Sequence, residues 1–179
     1  QIETLDGLDK EIADAELYII VQHYTAKDVV DMSVFHELSK EEEDLLQSNE
    51  VLYNYYYASY YCYTEPDANL ALTYIQKLKE AGYKTSNMFY LEGNIYMEEE
   101  DFANAVIAYK KSLELMESPT VWYALANAYD ALGNYDYAYQ ASLKAGENYT
   151  TSDHDKDKYG VALHNKILLE GLQKKLREE

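Results

Sequence analysis

The chain is poor in cationic residues, and above all in arginine. Its 179 residues include 33 aspartates and glutamates but only 15 lysines and arginines, and Arg177 is the one arginine, so the formal net charge is −18 at pH 7. Nucleic acids and anionic membrane surfaces are bound through cationic faces that displace counterions from phosphate groups. We therefore expect no nucleic-acid partner. An acidic surface that keeps the protein in solution is the simplest interpretation of the charge.

Cysteine, proline, glycine and long apolar runs are also scarce. Cys62 is the single cysteine, so no intrachain disulfide and no cysteine-rich zinc site are expected. The apolar run at 17–21 is far shorter than the ~20 residues that cross a bilayer, so we expect no membrane insertion by this segment. Two prolines and seven glycines leave long helices little interrupted. These absences favour an all-α protein.

A repeat is present in the second half of the chain. Residues 89–112 align with residues 122–145 at an offset of 33, and aromatic residues then meet aromatic residues while small residues meet small ones. An internal period of this length is typical of helical repeat arrays. The aligned pairs are Phe89 with Trp122, Gly93 with Ala126, Asn94 with Asn127, Tyr96 with Tyr129, Phe102 with Tyr135, Ala105 with Ala138, and Ser112 with Ala145.

This pattern resembles the tetratricopeptide repeat, a unit of two antiparallel helices. The second copy carries the residues that resemble the family's motif, with Ser142 where the family prefers an aromatic residue, and the first copy has Glu92 where leucine is usual. The small residues let the two helices approach closely, and Gly93 needs such a reason because glycine inside a helix costs ~1 kcal/mol against alanine. The motif residues of the second copy are Trp122, Leu125, Ala126, Tyr129, Ala138 and Ala145.

The resemblance predicts a right-handed α-α superhelix, a solenoid of about three helix pairs with a C-terminal capping helix. A weaker copy lies upstream, where residues 71–78 align with 105–112 at an offset of 34 and a tyrosine-rich first helix precedes them, with a connecting loop about two residues longer than the family's. We expect one repeat domain over 1–179, divided into degenerate N-terminal helices (1–38), a weak repeat (39–82), two repeats (86–118 and 119–150) and a capping helix (151–179).

Helix ends are predicted from capping residues and glycines. Ser39, Ser86, Ser118 and the cluster at 151–153 each precede a helical pattern, whereas Gly82, Gly133 and Gly146 are typical of helix ends. In the last helix, one apolar stripe and one polar side indicate a terminal cap. The stripe is predicted to consist of Tyr159, Ala162, Leu163, Leu169, Leu172 and Leu176.

No pattern of catalytic or metal-binding residues stands out, so we predict no enzymatic activity, cofactor or metal. The histidines at 23, 36, 154 and 164 have no spacing that directs two imidazoles at one metal. Residues 153–157 alternate acids as a calcium loop does, but Lys158 replaces the required glycine and His164 the required glutamate. Acids at the start of a helix are the simpler interpretation.

The resemblance also implies a binding groove. In the family the first helix of each pair lines the concave surface, and the residue after the small one is often an asparagine that bonds to a peptide backbone; Asn94 and Asn127 occupy this position. Tyr90 and Tyr123 stand where relatives that clamp a terminal carboxylate carry lysine, so an aromatic groove is expected instead. These four residues are the predicted groove positions. That asparagine is simply common there in such repeats is the competing interpretation.

Tyrosine is concentrated in the helix predicted from Val51, which carries seven tyrosines by residue 63. Helical spacing places Tyr53, Tyr56, Tyr57 and Tyr60 on one face, which we expect to be core. Tyr55 and Tyr61 point elsewhere and are expected to be exposed, as a contact surface or as a habit of composition. 

The expected function is a non-catalytic protein-protein interaction or scaffolding module that binds a peptide or protein on its concave surface. The alternative is an extracellular, membrane-tethered assembly or spacer domain that associates with itself. Because the chain begins at Gln1 rather than at methionine, we expect a signal or anchor to precede it. That expectation favours a secreted protein or a bacterial cell-surface lipoprotein over a cytoplasmic protein.

Overall fold

The computed structural model describes residues 40–47, 50–147 and 161–178. These residues form helices connected by short loops, with no strand among them. The helices are α1 (Lys40–Gln47), α2 (Glu50–Tyr63), α3 (Ala68–Glu80), α4 (Ser86–Glu98), α5 (Phe102–Leu115), α6 (Pro119–Ala131), α7 (Tyr135–Glu147) and α8 (Val161–Glu178). The predicted all-α helical repeat is confirmed, whereas the handedness of its superhelix stays a prediction. The predicted helices before Lys40 lie outside the described residues.

The chain divides into two compact units, Gln1–Leu91 and Glu92–Glu179. In the first unit α2 packs against α1 and α3, and in the second unit α6 packs against α5 and α7. The helix α8 then packs on α7 and on α6. Loops of three or four residues connect α2 with α3, α5 with α6 and α6 with α7, and connections this short join antiparallel helices.

Small residues lie where helices pack within the second unit. Ala105, Ala126 and Ala138 are fully buried. At Gly93 of α4, a Cβ atom would come within 2.3 Å of the Tyr109 ring on α5, so only glycine fits this approach. The predicted packing role of these four residues is confirmed.

Two of the predicted loop glycines lie just after helix ends, as the sequence predicts. Gly82 and Gly133 follow α3 and α6 with φ of +81° and +76°, the left-handed region that favours glycine. Glu100, between α4 and α5, takes the same region with φ of +57°. The helix α4 begins at Ser86, as predicted, but the residue before it supplies the capping hydrogen bond, because the Thr85 hydroxyl accepts from the Met88 amide at 3.2 Å.

The start of α6 and the loop between α2 and α3 follow their predictions in part. Ser118 precedes Pro119 at the start of α6 as predicted, although its side chain makes no capping hydrogen bond. The loop between α2 and α3 covers 64–67, one residue more than the loops at 99–101 and 132–134 rather than the expected two. The predicted cap at 151–153 lies outside the described residues.

The helix α8 is held to α7 by buried polar side chains. Asn165 is buried and its Oδ1 accepts a hydrogen bond from the Ser142 hydroxyl at 2.8 Å, while its Nδ2 donates to the Ser142 carbonyl at 3.0 Å. A hydroxyl therefore stands at the aromatic position of the repeat because α8 supplies its partner. At the other end of α8, Lys175 pairs with Asp130 of α6 at 2.5 Å.

The predicted apolar stripe of α8 is partly wrong. Leu172 is fully buried, but Leu163 is 60% exposed. The two residues are nine positions apart, and nine steps of 100° place them on opposite sides of a straight helix. Ile167, one turn after Leu163, is also 59% exposed.

Candidate binding surfaces

The predicted groove positions are all partly accessible in the structure. Tyr123 and Asn127 lie one turn apart on α6, and the Asn127 side-chain amide donates to the Tyr123 carbonyl at 3.0 Å. That hydrogen bond uses one N–H of Asn127 and leaves its carbonyl oxygen to accept from a ligand. These two residues therefore form a short polar and aromatic strip along α6.

Asn94 has a structural role as well. Its Oδ1 accepts a hydrogen bond from the hydroxyl of the buried Tyr109 at 2.6 Å. The asparagine thereby completes the contact between α4 and α5 that Gly93 makes possible. Tyr90 lies one turn earlier on α4, within the first compact unit, and its part in binding stays a prediction.

A second feature, which the sequence reasoning missed, is a cavity of about 510 Å³ in the second unit. It lies where α5, α6 and α7 meet. On α6 it is lined by Trp122, Leu125 and Tyr129, which recur at helical spacing on the side away from Tyr123 and Asn127. The other walls come from α5, from the loop that follows it and from α7. The lining residues there are Lys110, Leu113 and Glu114 on α5, Glu117 in the loop, and Tyr137, Gln140, Ala141 and Lys144 on α7.

Aromatic rings form one side of this cavity. The rings of Tyr129 and Tyr137 stack with centroids 5.3 Å apart and planes inclined by 26°. Tyr137 nevertheless stays 65% exposed. The sequence does mark Trp122 and Tyr129 as motif residues, but motif residues are expected to pack between helices, and nothing local indicates that space remains beside them.

The first unit contains a tyrosine cluster, formed by Tyr53, Tyr57, Tyr60 and Tyr61 of α2 with Tyr74 of α3. The ring of Tyr74 stacks on Tyr61 at 6.0 Å and on Tyr57 at 5.5 Å between centroids. Burial raises the pKa of the Tyr57 phenol well above its ordinary value, and the negative charge of Glu43 on α1 adds to the shift. These rings are packing for the pair formed by α2 and α3.

One prediction for α2 is wrong. Tyr55 was expected to be exposed, yet it is fully buried, whereas Tyr61 is partly exposed. Tyr56, Tyr57 and Tyr60 are buried as predicted, and Tyr53 is half-buried, with its hydroxyl bonded to Glu43 at 3.2 Å. The helix is apolar around most of its circumference, which is the pattern of a helix covered on more than one side.

The described residues hold no group of three or more potential metal ligands from histidine, cysteine, aspartate and glutamate. Of the four histidines only His164 lies among them, and the acidic segment 153–157 lies outside them. Cys62 is buried in α2. No helix in the described ranges combines the length and apolar character that a membrane span needs.

Comparison with known proteins agrees with the helical geometry. A family model described as tetratricopeptide repeat matches residues 86–118 and 119–145. The first match covers α4 and α5, and the second covers α6 and most of α7. No curated protein matches the chain. Repeats of this family generally act in protein-protein interaction, and typically as scaffolds without catalysis.

Proposed function

Since this chain belongs to the tetratricopeptide repeat proteins, we propose that it is a non-catalytic module that binds an extended or helical peptide of a partner protein along its groove positions. The observation that carries the proposal is the strip on α6, where Asn127 lies one turn from Tyr123 and keeps hydrogen-bonding capacity beyond its bond to the Tyr123 carbonyl. An amide can both donate to and accept from a peptide backbone, so it holds a peptide without reading its side chains.

Aromatic side chains beside the amide strengthen this proposal. A tyrosine covers a large contact area, loses little conformational entropy on binding and keeps a hydroxyl for hydrogen bonding. Tyr123 supplies such a ring next to Asn127, and Tyr90 stands one turn from Asn94 on α4. A groove of this kind lacks the lysines that hold a carboxylate, so acidic peptide tails are not its ligands.

The test is a peptide selection followed by measured affinities. Peptides from a random displayed library are selected on the protein, and their affinities are then measured by calorimetry for the wild type and for Asn127→Ala. We expect the substitution to weaken binding about three- to tenfold, because one backbone hydrogen bond of ~1 kcal/mol is lost. Asn94→Asp tests the second position, since it keeps the oxygen that Tyr109 needs while it removes the amide donors.

A matched control uses the same helix. Tyr129→Phe removes one hydroxyl from the opposite side of α6 and is expected to leave affinity for the selected peptides unchanged. If Asn127→Ala together with Asn94→Asp binds every selected peptide as tightly as the wild type does, the groove positions do not bind peptides and the proposal fails.

Self-association is the second candidate. The exposed pair Leu163 and Ile167 on α8 favours it, because two adjacent aliphatic side chains are costly to leave in water. Static light scattering over a wide concentration range distinguishes the two. A protein that stays monomeric at high concentration, and whose scattering is unchanged by Leu163→Ser with Ile167→Ser, has no assembly role through α8.

A further inference from the structure

The cavity between α5, α6 and α7 has the properties of a second binding site, separate from the groove positions. Its volume of about 510 Å³ falls within the range of ligand pockets, roughly 300–1,000 Å³. Leu113, Leu125 and the rings of Trp122 and Tyr129 supply apolar walls, and charged side chains stand around the opening. An apolar centre with a polar rim is the usual anatomy of a protein interface.

A hydrogen-bond donor without a partner also lies beside the cavity, on the side chain of Trp122. The indole Nε1 of Trp122 is buried, and it has no hydrogen-bond acceptor among the residues that the structure describes. Leaving a buried donor without an acceptor costs ~1–3 kcal/mol, so such a group calls for an explanation. A peptide that enters the cavity lies beside Trp122 and brings backbone carbonyl oxygens as hydrogen-bond acceptors. Its entry also covers the exposed ring of Tyr137.

The long-range charge of the protein favours a basic occupant. At the opening itself Glu114 and Glu117 are matched by Lys110 and Lys144, but Lys144 also pairs with Glu147 at 3.8 Å, so three carboxylates stand against two ammonium groups there. The chain as a whole carries a net charge of −18, which attracts basic partners and repels acidic ones over longer distances. Aromatic rings such as Tyr137 attract cations further at close range.

We propose that this cavity is a docking site for a basic amphipathic peptide segment of a partner, which inserts large apolar side chains between α5 and α7 and places its cations near Glu114 and Glu117. The site lies on the side of α6 opposite Tyr123 and Asn127. A peptide in the groove therefore leaves it open, and the protein can hold two segments at once.

The fluorescence emission of Trp122 reports whether the cavity is occupied, because this residue is the only tryptophan of the chain. The probe is a synthetic amphipathic peptide of leucine and lysine, titrated into the intact protein at low ionic strength while tryptophan emission is recorded. Two peptides of equal length are controls: one replaces leucine by serine and keeps the charge, and the other replaces lysine by glutamate and keeps the apolar pattern. We expect a saturable change in emission with the leucine and lysine peptide alone.

Variants of the lining residues test whether the leucine and lysine peptide binds in the cavity. Tyr137→Ala removes an exposed cavity ring, and Glu114→Gln with Glu117→Gln removes two exposed carboxylates, so both proteins should fold normally. We expect each to weaken the leucine and lysine peptide roughly three- to tenfold, since surface ion pairs and exposed aromatic contacts each contribute modestly. Tyr123→Ala with Asn127→Ala, on the opposite side of α6, should leave this affinity unchanged.

Three results would overturn the proposal. The emission of Trp122 is unaffected by the leucine and lysine peptide, the serine control binds equally well, or the cavity variants bind as the wild type does. Each of these leaves the groove proposal intact, because that proposal is tested by selected peptides and by Asn127→Ala. A loss of affinity for the probe in the variant with Tyr123→Ala and Asn127→Ala would assign its binding to the groove and also refute a separate cavity site.

Discussion

Replacing Gly93 by alanine tests the close approach of α4 and α5 at this position. The added Cβ atom would lie 2.3, 2.5 and 2.9 Å from Cε1, Cδ1 and Cζ of Tyr109, whereas carbon atoms pack best about 3.5–4.0 Å apart. Tyr109 is 1% exposed and its hydroxyl is bonded to Asn94, so the ring has no open space to enter. The ring or the helices must therefore move.

The expected free-energy change is the sum of opposing terms. Overpacking of this kind costs ~1–3 kcal/mol, and a distorted hydrogen bond to Asn94 costs ~1 kcal/mol more. Alanine regains ~1 kcal/mol of helix propensity over glycine. Gly93→Ala should therefore lower the free energy of unfolding by about 1–3 kcal/mol, measured by urea denaturation followed by circular dichroism.

The chain offers a matched control in Gly171, which is also inside a helix. It is exposed, and a Cβ atom there would meet no atom within 4 Å. Gly171→Ala should therefore raise stability by up to ~1 kcal/mol. The same substitution thus has opposite signs at the two sites.

A double-mutant cycle assigns the effect to the ring. Tyr109→Leu removes Cε1 and Cζ, two of the three atoms that would clash, so Gly93→Ala should cost at least ~1 kcal/mol less in that background than in the wild type. If Gly93→Ala instead stabilises the protein as much as Gly171→Ala does, the close approach of α4 and α5 is refuted.

Three further changes test other parts of the structure. Glu100→Gly should raise the free energy of unfolding by about 1 kcal/mol, because a left-handed backbone strains a residue with a side chain; equal stability in thermal denaturation would argue against that conformation. Asn165→Ala removes the buried partner of Ser142 and should cost ~1–3 kcal/mol, with faster amide hydrogen exchange in α8; unchanged exchange there would mean that other contacts hold the helix. Burial raises the pKa of Tyr53 and Tyr57 above the unfolded value near 10. Their protonated forms therefore contribute stability that is fully present below about pH 10 and is lost as the pH rises through the folded pKa values. Near-ultraviolet absorbance should show these phenols ionising at higher pH in the folded protein than in the urea-unfolded chain, and identical titrations would contradict this.

Local patterns in the sequence were sufficient for the repeat and its spacing. Each helix pair requires certain residues at fixed positions. The sequence shows these as the 33-residue offset, the small residues Gly93 and Ala126, and the loop glycine Gly133. Such requirements are local, because an approach of two helices joined by a short loop demands particular residue sizes at fixed positions. The family resemblance followed from the same residues.

The tertiary structure decided which sides of the helices are covered. Tyr55 is buried and Leu163 is exposed, against expectation, because burial depends on neighbours that are distant in sequence. The hydrogen bonds between Ser142 and Asn165 have no local signal, since their partners are 23 residues apart.

The candidate sites divide in the same way. Family spacing identified Asn94 and Asn127, but only the packed helices show that Asn94 also accepts a hydrogen bond from Tyr109. The cavity beside Trp122 could not be predicted, because it is space left between three helices rather than a property of any of them. The sequence determined which residues share a face of each helix. Packing determined which space those faces enclose, because a void is the volume that side chains from separate helices leave unfilled between them.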